Sequence, residues 1–277
     1  MGLFDIISGA KENYNKRSQA REYIQRAKEL VNEGNNIYQQ AYAKVSIFAH
    51  ETEYKLRQHA EYKKKIAKEF GGTIGNTLSN FDKFNIDAKT IYSPTIAFEN
   101  FSMQDSSFGL SVFSTSITSC IKPDIPFSNF YFSDEDYYAA KSQRDEARRF
   151  KERMKYEREA LYAYRDKMSE IRSFIDMEKS ELDSLMNKIS KMVYELNRAM
   201  EKNSFTIEEA EYFKHVRVIS GKVIDLISTK FLSDNFSIDQ KYQTLFEEIK
   251  LINQNLPVAP SINDPRAFDF LKNIVVY

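Results

Sequence analysis

Taken in steps of three and four from Ala20, the chain sets Ala20, Ile24, Ala27, Val31, Gly34, Tyr38, Ala41, Val45 and Phe48 on one line. Eight of these nine are apolar or aromatic, and the residues between them are mostly Lys, Arg, Glu, Gln and Asn. That is a heptad seam, and it predicts an α-helix from about Ser8 to about Phe70 packed against another helix. Gly71 and Gly72 stand where it should stop. Gly34–Asn35–Asn36 is its weakest stretch, the place where a kink or break would fall.

A second seam runs Ala147, Phe150, Met154, Glu157, Leu161, Tyr164, Met168, Ile171, Ile175, Glu178, Leu182, Leu185, Ile189, Met192, Leu196 and Ala199. Fourteen of the sixteen positions are apolar or aromatic, and no Gly or Pro falls between Ser133 and Lys202. The entry is well marked: Ser133 can cap, Asp134, Glu135 and Asp136 suit the positive end of the helix dipole, and Phe132 can staple to Tyr137. About 70 residues at 1.5 Å each make a helix of roughly 100 Å, which needs partner helices along its length. Two shorter helices follow. Thr206–Ile207–Glu208–Glu209 reads as a capping box before the stripe Ala210, Phe213, Val216, Val223 and Ile227. Ser237–Ile238–Asp239–Gln240 reads as another, before Tyr242, Leu245, Ile249, Ile252 and Leu256. Asp264–Pro265 suits the start of a last short helix, and the apolar tail Ile274–Tyr277 suits a docked strand or arm.

Between the long helices the composition changes. Residues 71–132 hold eight charged side chains in 62 positions, whereas the other 215 residues carry 72. Two stretches there, 95–101 and 108–117, read as strands. The fold expected is therefore mainly α: an elongated antiparallel hairpin or coiled-coil bundle of two long helices, with a small β-containing insert as a head at one end. The chain divides into residues 1–70 (apolar start and first long helix), 71–132 (charge-poor insert), 133–203 (second long helix) and 204–277 (shorter helices and tail).

Charge and chemistry then narrow the function. Forty Lys and Arg balance forty Asp and Glu, so no global field draws the protein to nucleic acid or acidic lipid, and nucleic acid is not an expected partner. The single cysteine, Cys120, rules out an internal disulfide and a cysteine zinc cluster. His50 and His59 are nine apart and do not share a helix face as a zinc pair would; both read as surface residues. Gly71–Gly72–Thr73–Ile74–Gly75 lacks the Lys-Ser/Thr of a phosphate loop. Glu157 and Glu178, three heptads apart in the seam, suit a register-setting role or a meeting with a cation from a partner helix. No catalytic residue, metal ligand or cofactor is expected, and the protein reads as a non-enzyme.

The informative pattern is local. Lys55, Arg57, Lys63, Lys64, Lys65 and Lys68 precede the insert with Glu61 as the counter-charge among them. Residues 141–158 carry eight cations, Arg144, Arg148, Arg149 and Arg153 among them, against four acids. In an antiparallel hairpin both stretches flank one end and form a basic collar (Lys63, Lys64, Lys65, Lys68, Arg144, Arg148, Arg149, Arg153) beneath an aromatic-rich head. Each Lys or Arg near acidic headgroups is worth about 1 kcal/mol. On a helix, Leu3, Phe4, Ile6 and Ile7 cover one side, with Gly2, Asp5 and Ser8 toward the other. The start is not a secretory signal, no run reaches the roughly 18 apolar residues of a spanning helix, and Ile6 stands where a myristoylation site wants Ser or Thr.

The opening Gly2–Leu3–Phe4–Asp5–Ile6–Ile7 resembles the start of small amphipathic membrane-active peptides. Met1–Gly2–Leu3–Phe4 ahead of a long charged hairpin resembles phage-shock protein A and its ESCRT-III-type relatives, a likeness of a few residues and general architecture from which the insert and late helices depart. The expected function is a scaffold or assembly subunit that self-associates or joins a helical partner subunit. It touches an anionic membrane surface through Leu3, Phe4, Ile6, Ile7 and the insert residues Phe98, Phe101, Phe108 and Phe113, in the cytoplasm and peripheral at the membrane. The alternatives are a soluble coiled-coil adaptor, and a helical pore-forming toxin component with residues 91–121 as its membrane tongue.

Overall fold

A computed structural model describes residues 3–82, 136–202, 205–233 and 236–271, with the side chains of 3–12, 81 and 82 left aside. The order is α1 (Leu3–Glu69), a π turn (Phe70–Ile74), α2 (Gly75–Asp82), α3 (Tyr137–Met200), α4 (Ile207–Ser228), α5 (Gln240–Asn255) and a 3-10 turn (Pro265–Phe268). The protein is mainly helical, and its long helices pack against each other. Among the described residues the β structure is one isolated bridge, Leu232 to Ile238. The expected strands at 95–101 and 108–117, with Phe98, Phe101, Phe108 and Phe113, lie outside the described residues.

The chain forms two compact units, one holding α1 to Glu53 and α3 to Met168, the other the rest of both long helices with α2, α4 and α5. In the first unit Ala20, Ile24, Ala27, Leu30, Tyr38, Ala41, Val45 and Ala49 of α1 are buried, as are Ala140, Ala147, Phe150, Met154, Leu161 and Met168 of α3. Ala20 and Ile24 pack on Ala140, and Ala27 and Leu30 pack on Ala147. So many alanines leave room for close approach. The chain passes unbroken through Gly34, where a Cβ would sit 3.1 Å from Phe150 Cε1 and 3.2 Å from Lys151 Cα. The glycine expected to weaken the helix is thus a point of helix contact.

In the second unit α4 and α5 cover the helix pair. The core there joins Leu56, Phe70 and Leu78 to Ile171, Leu182, Leu185 and Ile189 of α3 and to Val216, Val223, Phe246, Ile249 and Ile252 of the shorter helices. Thr206 and Glu209 make the expected capping box, with Glu209 N donating to Thr206 Oγ1 (3.2 Å) and Thr206 N to Glu209 Oε2 (2.9 Å). At α5 the expectation is corrected. Asp239 is the cap, accepting from Lys241 N at 2.9 Å, because Ser237 is engaged with Ser233 across the short bridge. Gly71 and Gly72 also do not end the helical path. Only Gly72 leaves helical angles (φ −101°, ψ −112°), and α2 continues beyond it.

The main correction concerns direction. In the first unit Tyr23 meets Tyr137 and Glu33 meets Lys151; in the second Lys55 meets Asp176, His59 meets Glu178, Tyr62 meets Asp183 and Thr77 meets Asn197. Partner numbers rise together, with separations of 114 to 121 throughout. Within each unit α1 and α3 therefore run parallel, not antiparallel. A heptad seam has no polarity of its own, and a connection as long as residues 83–136 permits a return crossover as readily as a hairpin. The antiparallel pairing on which the basic collar rests is corrected with it. Lys63, Lys64, Lys65 and Lys68 belong to the second unit, and Arg144, Arg148, Arg149 and Arg153 to the first.

Gly34→Leu separates local from tertiary effects. Leucine is the better helix former by just under 1 kcal/mol, so an isolated helix would gain. Against Phe150 and the Lys151 backbone, overpacking is expected to lower stability by about 1–3 kcal/mol. Thermal unfolding followed by circular dichroism measures the sign, and an unchanged or raised Tm would contradict the close contact.

Candidate functional site

Continuing the α1 seam past Val45 gives Ala49, Thr52, Leu56, His59, Lys63, Ile66 and Phe70, all buried. Two of these are chemically out of place in a core. His59 is 5% exposed and Lys63 6%, and the opposing seam position on α3 is Glu178, fully buried. The Glu178 carboxylate is bound from two sides: His59 Nε2 lies 2.9 Å from Oε2, and the Tyr242 hydroxyl of α5 donates to Oε1. Lys63 Nζ sits over the Tyr242 ring, 4.1 Å from its centroid, and 5.4 Å from that of Phe231. Phe231 is presented by the Leu232–Ile238 bridge, where Asp239 N donates to Phe231 O at 2.9 Å. Its ring contacts those of His59 (4.8 Å) and Tyr242 (5.0 Å, edge-on), and Phe174 packs beside both Phe231 and Tyr242.

The electrostatics follow from this enclosure. Burial pushes Lys63 down to about 8, against the opposing pull of the Glu178 charge. Burial also pushes Tyr242 well up, helped by the Glu178 charge and the hydrogen bond to it. For Glu178 burial works upward, yet the His59 charge and hydrogen bond, the Lys63 charge and the Tyr242 hydroxyl together outweigh it and hold the carboxyl below its ordinary range. Closer to solvent, Tyr62 donates to Asp183 Oδ1 (2.7 Å) and Lys55 pairs with Asp176. Glu178, His59, Lys63 and Tyr242 thus tie α1, α3 and α5 together with a sealed ionic network. Buried charges with partners on other helices specify register and hold α5 in place. Among the described residues no cluster of three His, Cys, Asp or Glu is placed to hold a metal.

Beside this network, between α3 and α5, runs an open groove of about 900 Å³. Phe174, Met177, Ile238 and Leu251 form its apolar floor, and among the described residues Glu170, Glu247 and Glu248 are the ionisable groups lining it. Met177 is 39% and Leu251 47% exposed.

The sequence-predicted residues are dispersed. Leu3, Phe4, Ile6 and Ile7 lie in α1. Lys63 is buried in the network, and Lys64 bonds Glu61 at 2.6 Å. Lys65 and Lys68 are exposed. Arg144 bonds Asp145 at 2.7 Å and lies 4.5 Å from the Tyr23 ring centroid. Arg148, Arg149 and Arg153 are exposed. Of the two seam glutamates, Glu178 meets His59 and lies under the influence of the Lys63 charge on α1, whereas Glu157 stays half-exposed. His50 is exposed; His59, read as a surface residue, is not. His59 and Lys63 were detectable by extending the seam beyond Phe48, since the spacing shifts by one residue at Val45 to Ala49. Nothing in the sequence pointed to Tyr242 as their partner. No protein-family model, curated protein or solved structure matches the chain.

Two substitutions separate the roles in the network. The folded Lys63 value lies below the ordinary 10.5, so the unfolded chain binds the proton more tightly and wild-type stability rises with pH between about 8 and 10.5. Lys63→Met removes the cost of the buried cation and is expected to stabilise at pH 7 by up to about 3 kcal/mol. That advantage narrows as pH rises from 8 to 10. Glu178→Gln strands Lys63 and is expected to cost roughly 3 kcal/mol at pH 7. Urea unfolding at several pH values reads both; a destabilised Lys63→Met, or a pH-independent difference, would refute the assignment.

Proposed function

We propose that the protein is a non-enzymatic helical scaffold, an assembly subunit that contacts anionic membrane through the beginning of α1. The observation that carries this reading is an offset between helix and pairing. α1 begins at Leu3, but residues 13–19 are all exposed and the first buried side chain described is Ala20, against Ala140. Leu3, Phe4, Ile6 and Ile7 belong to the same helix and precede this exposed stretch. A short isolated segment would pay to become helical before binding; here the helix that follows supplies the nucleus. Lys11, Lys16 and Arg17 come directly after the apolar positions, and cations beside an inserted apolar face add attraction to acidic headgroups. Among the described residues no helix is long and apolar enough to cross a membrane, and the proposed contact needs none.

The long parallel pair supports the scaffold half of the reading. Its buried positions go to holding two helices in register, and its polar network is closed to solvent. Co-sedimentation with vesicles tests the membrane half. Pelleting is expected to rise with the fraction of anionic lipid, to fall with salt, and to be lost in Leu3→Glu/Phe4→Glu/Ile7→Glu. Absence of pelleting at every lipid composition would remove the proposal. Release of entrapped dye from the vesicles would replace it with the pore-forming alternative.

A further inference from the structure

We propose that the N-terminal half of α5, Gln240 to Phe246, is a hinged cover that opens away from Glu178 while the other end of the helix stays docked. The device is independent of the membrane contact proposed above. The two ends of α5 are held by different means. At the C-terminal end Lys188 donates to the carbonyls of Asn253 and Leu256, and Asn253 Nδ2 donates to Glu181 at 2.6 Å. These contacts are part-buried, and Ile249 and Ile252 lie fully buried beside them. Docking that end takes little charge out of water.

The N-terminal end differs on both sides. Its outer side is open, since Gln240, Gln243 and Thr244 line the groove opposite Glu170 and Met177. Its inner side carries the docking: Phe246 packs on Phe174 with ring centroids 4.8 Å apart, and Tyr242 lies over the charged network. The Tyr242 hydroxyl closes off Glu178, and its ring lies beneath Lys63 Nζ. Lifting Tyr242 returns a carboxylate and an ammonium to solvent. It leaves His59 on Glu178, because both belong to the long helices. The desolvation of Lys63 and Glu178 is therefore completed by the docking of α5, not by the pairing of α1 with α3. The network fixes where α5 docks and adds little to how tightly. Burial of Tyr242 and Phe246 is set against the cost of enclosing charge, which is the condition for a local opening below the global unfolding free energy.

Opening is coupled to a proton. Lys63 is faced by His59 on its own helix, Glu178 on α3 and Tyr242 on α5. Glu178 is held below its ordinary range and Tyr242 well above its own, so neither changes charge between pH 7 and 9. Lys63 does, because burial pushes it from 10.5 down to about 8 and lifting Tyr242 relieves that burial. The open state binds the proton more tightly, so opening becomes rarer, by up to about tenfold, between pH 7 and 9.

Native-state hydrogen exchange read by mass spectrometry, with each rate divided by the intrinsic rate at that pH, tests this. Amides of residues 243–247 are expected to exchange at least tenfold faster than those of 250–255 and of 219–226 in α4, and with less urea dependence. In Lys63→Met the opening of 243–247 should be rarer than in wild type and should lose its pH dependence. Tyr242→Phe keeps the ring and removes the hydroxyl that donates to Glu178, and should open about tenfold more often. Equal protection along α5 and α4, a pH dependence that survives Lys63→Met, or unchanged opening in Tyr242→Phe would overturn the proposal. Should Lys63→Met fail to fold, the wild-type pattern and Tyr242→Phe still decide it.

Discussion

A carboxylate set into an apolar helix seam must find its compensation inside the protein, because no water is left to supply it. Glu178 is in that position, and what surrounds it accounts for much of the second unit. His59 reaches it, and Lys63 one helical turn further along α1 brings its charge to bear on it, only when α1 and α3 lie side by side at a separation near 119 residues; Tyr242 reaches it only when α5 covers the pair. An apolar seam alone tolerates slippage by a heptad and either direction. A single buried charge with partners on two other helices tolerates neither, at the cost of desolvating a lysine and a glutamate.

The first unit shows the same register held by other means. It has two helices and no covering layer among the described residues, and its seam is narrow: alanines on both helices, a glycine against Phe150, and ring contacts such as Tyr23 with Tyr137 at 5.6 Å. Polar links at its edges, Lys151 with Glu33 and Arg26 with Glu29, are exposed enough to contribute little. Close packing rather than a buried charge does the aligning there. The thicker core and the ionic network lie together in the second unit, and the exposed stretch 13–19 of α1 in the first.

Much of this was legible in the residues. Heptad spacing and the absence of Gly and Pro located both long helices to within a few positions, and Thr206 with Glu209 marked the start of α4. The direction of pairing was not legible, because a seam read forwards or backwards looks the same and the long connection does not choose. The Gly34 contact was hidden because propensity describes a helix alone, while close approach belongs to the pair. The network was half visible: Glu178 stood out as a charge in a seam, but His59 and Lys63 appear only once the one-residue shift after Val45 is followed, and Tyr242 belongs to a different helix altogether. Phe231 owes its place to a two-serine bridge that no periodicity announces.

A functional account follows from the parallel arrangement. With the helices in parallel, the cations of 63–68 and 144–153 serve separate units, so the proposed attraction to anionic membrane rests on the start of α1. The most direct measurement of the parallel register is zero-length carbodiimide coupling of the monomeric protein with mass-spectrometric mapping. The account predicts amide links from Lys55 to Asp176 and from Lys151 to Glu33. Links from Lys64, Lys65 or Lys68 to Asp145, Glu146 or Glu152, with the first two absent, would contradict it.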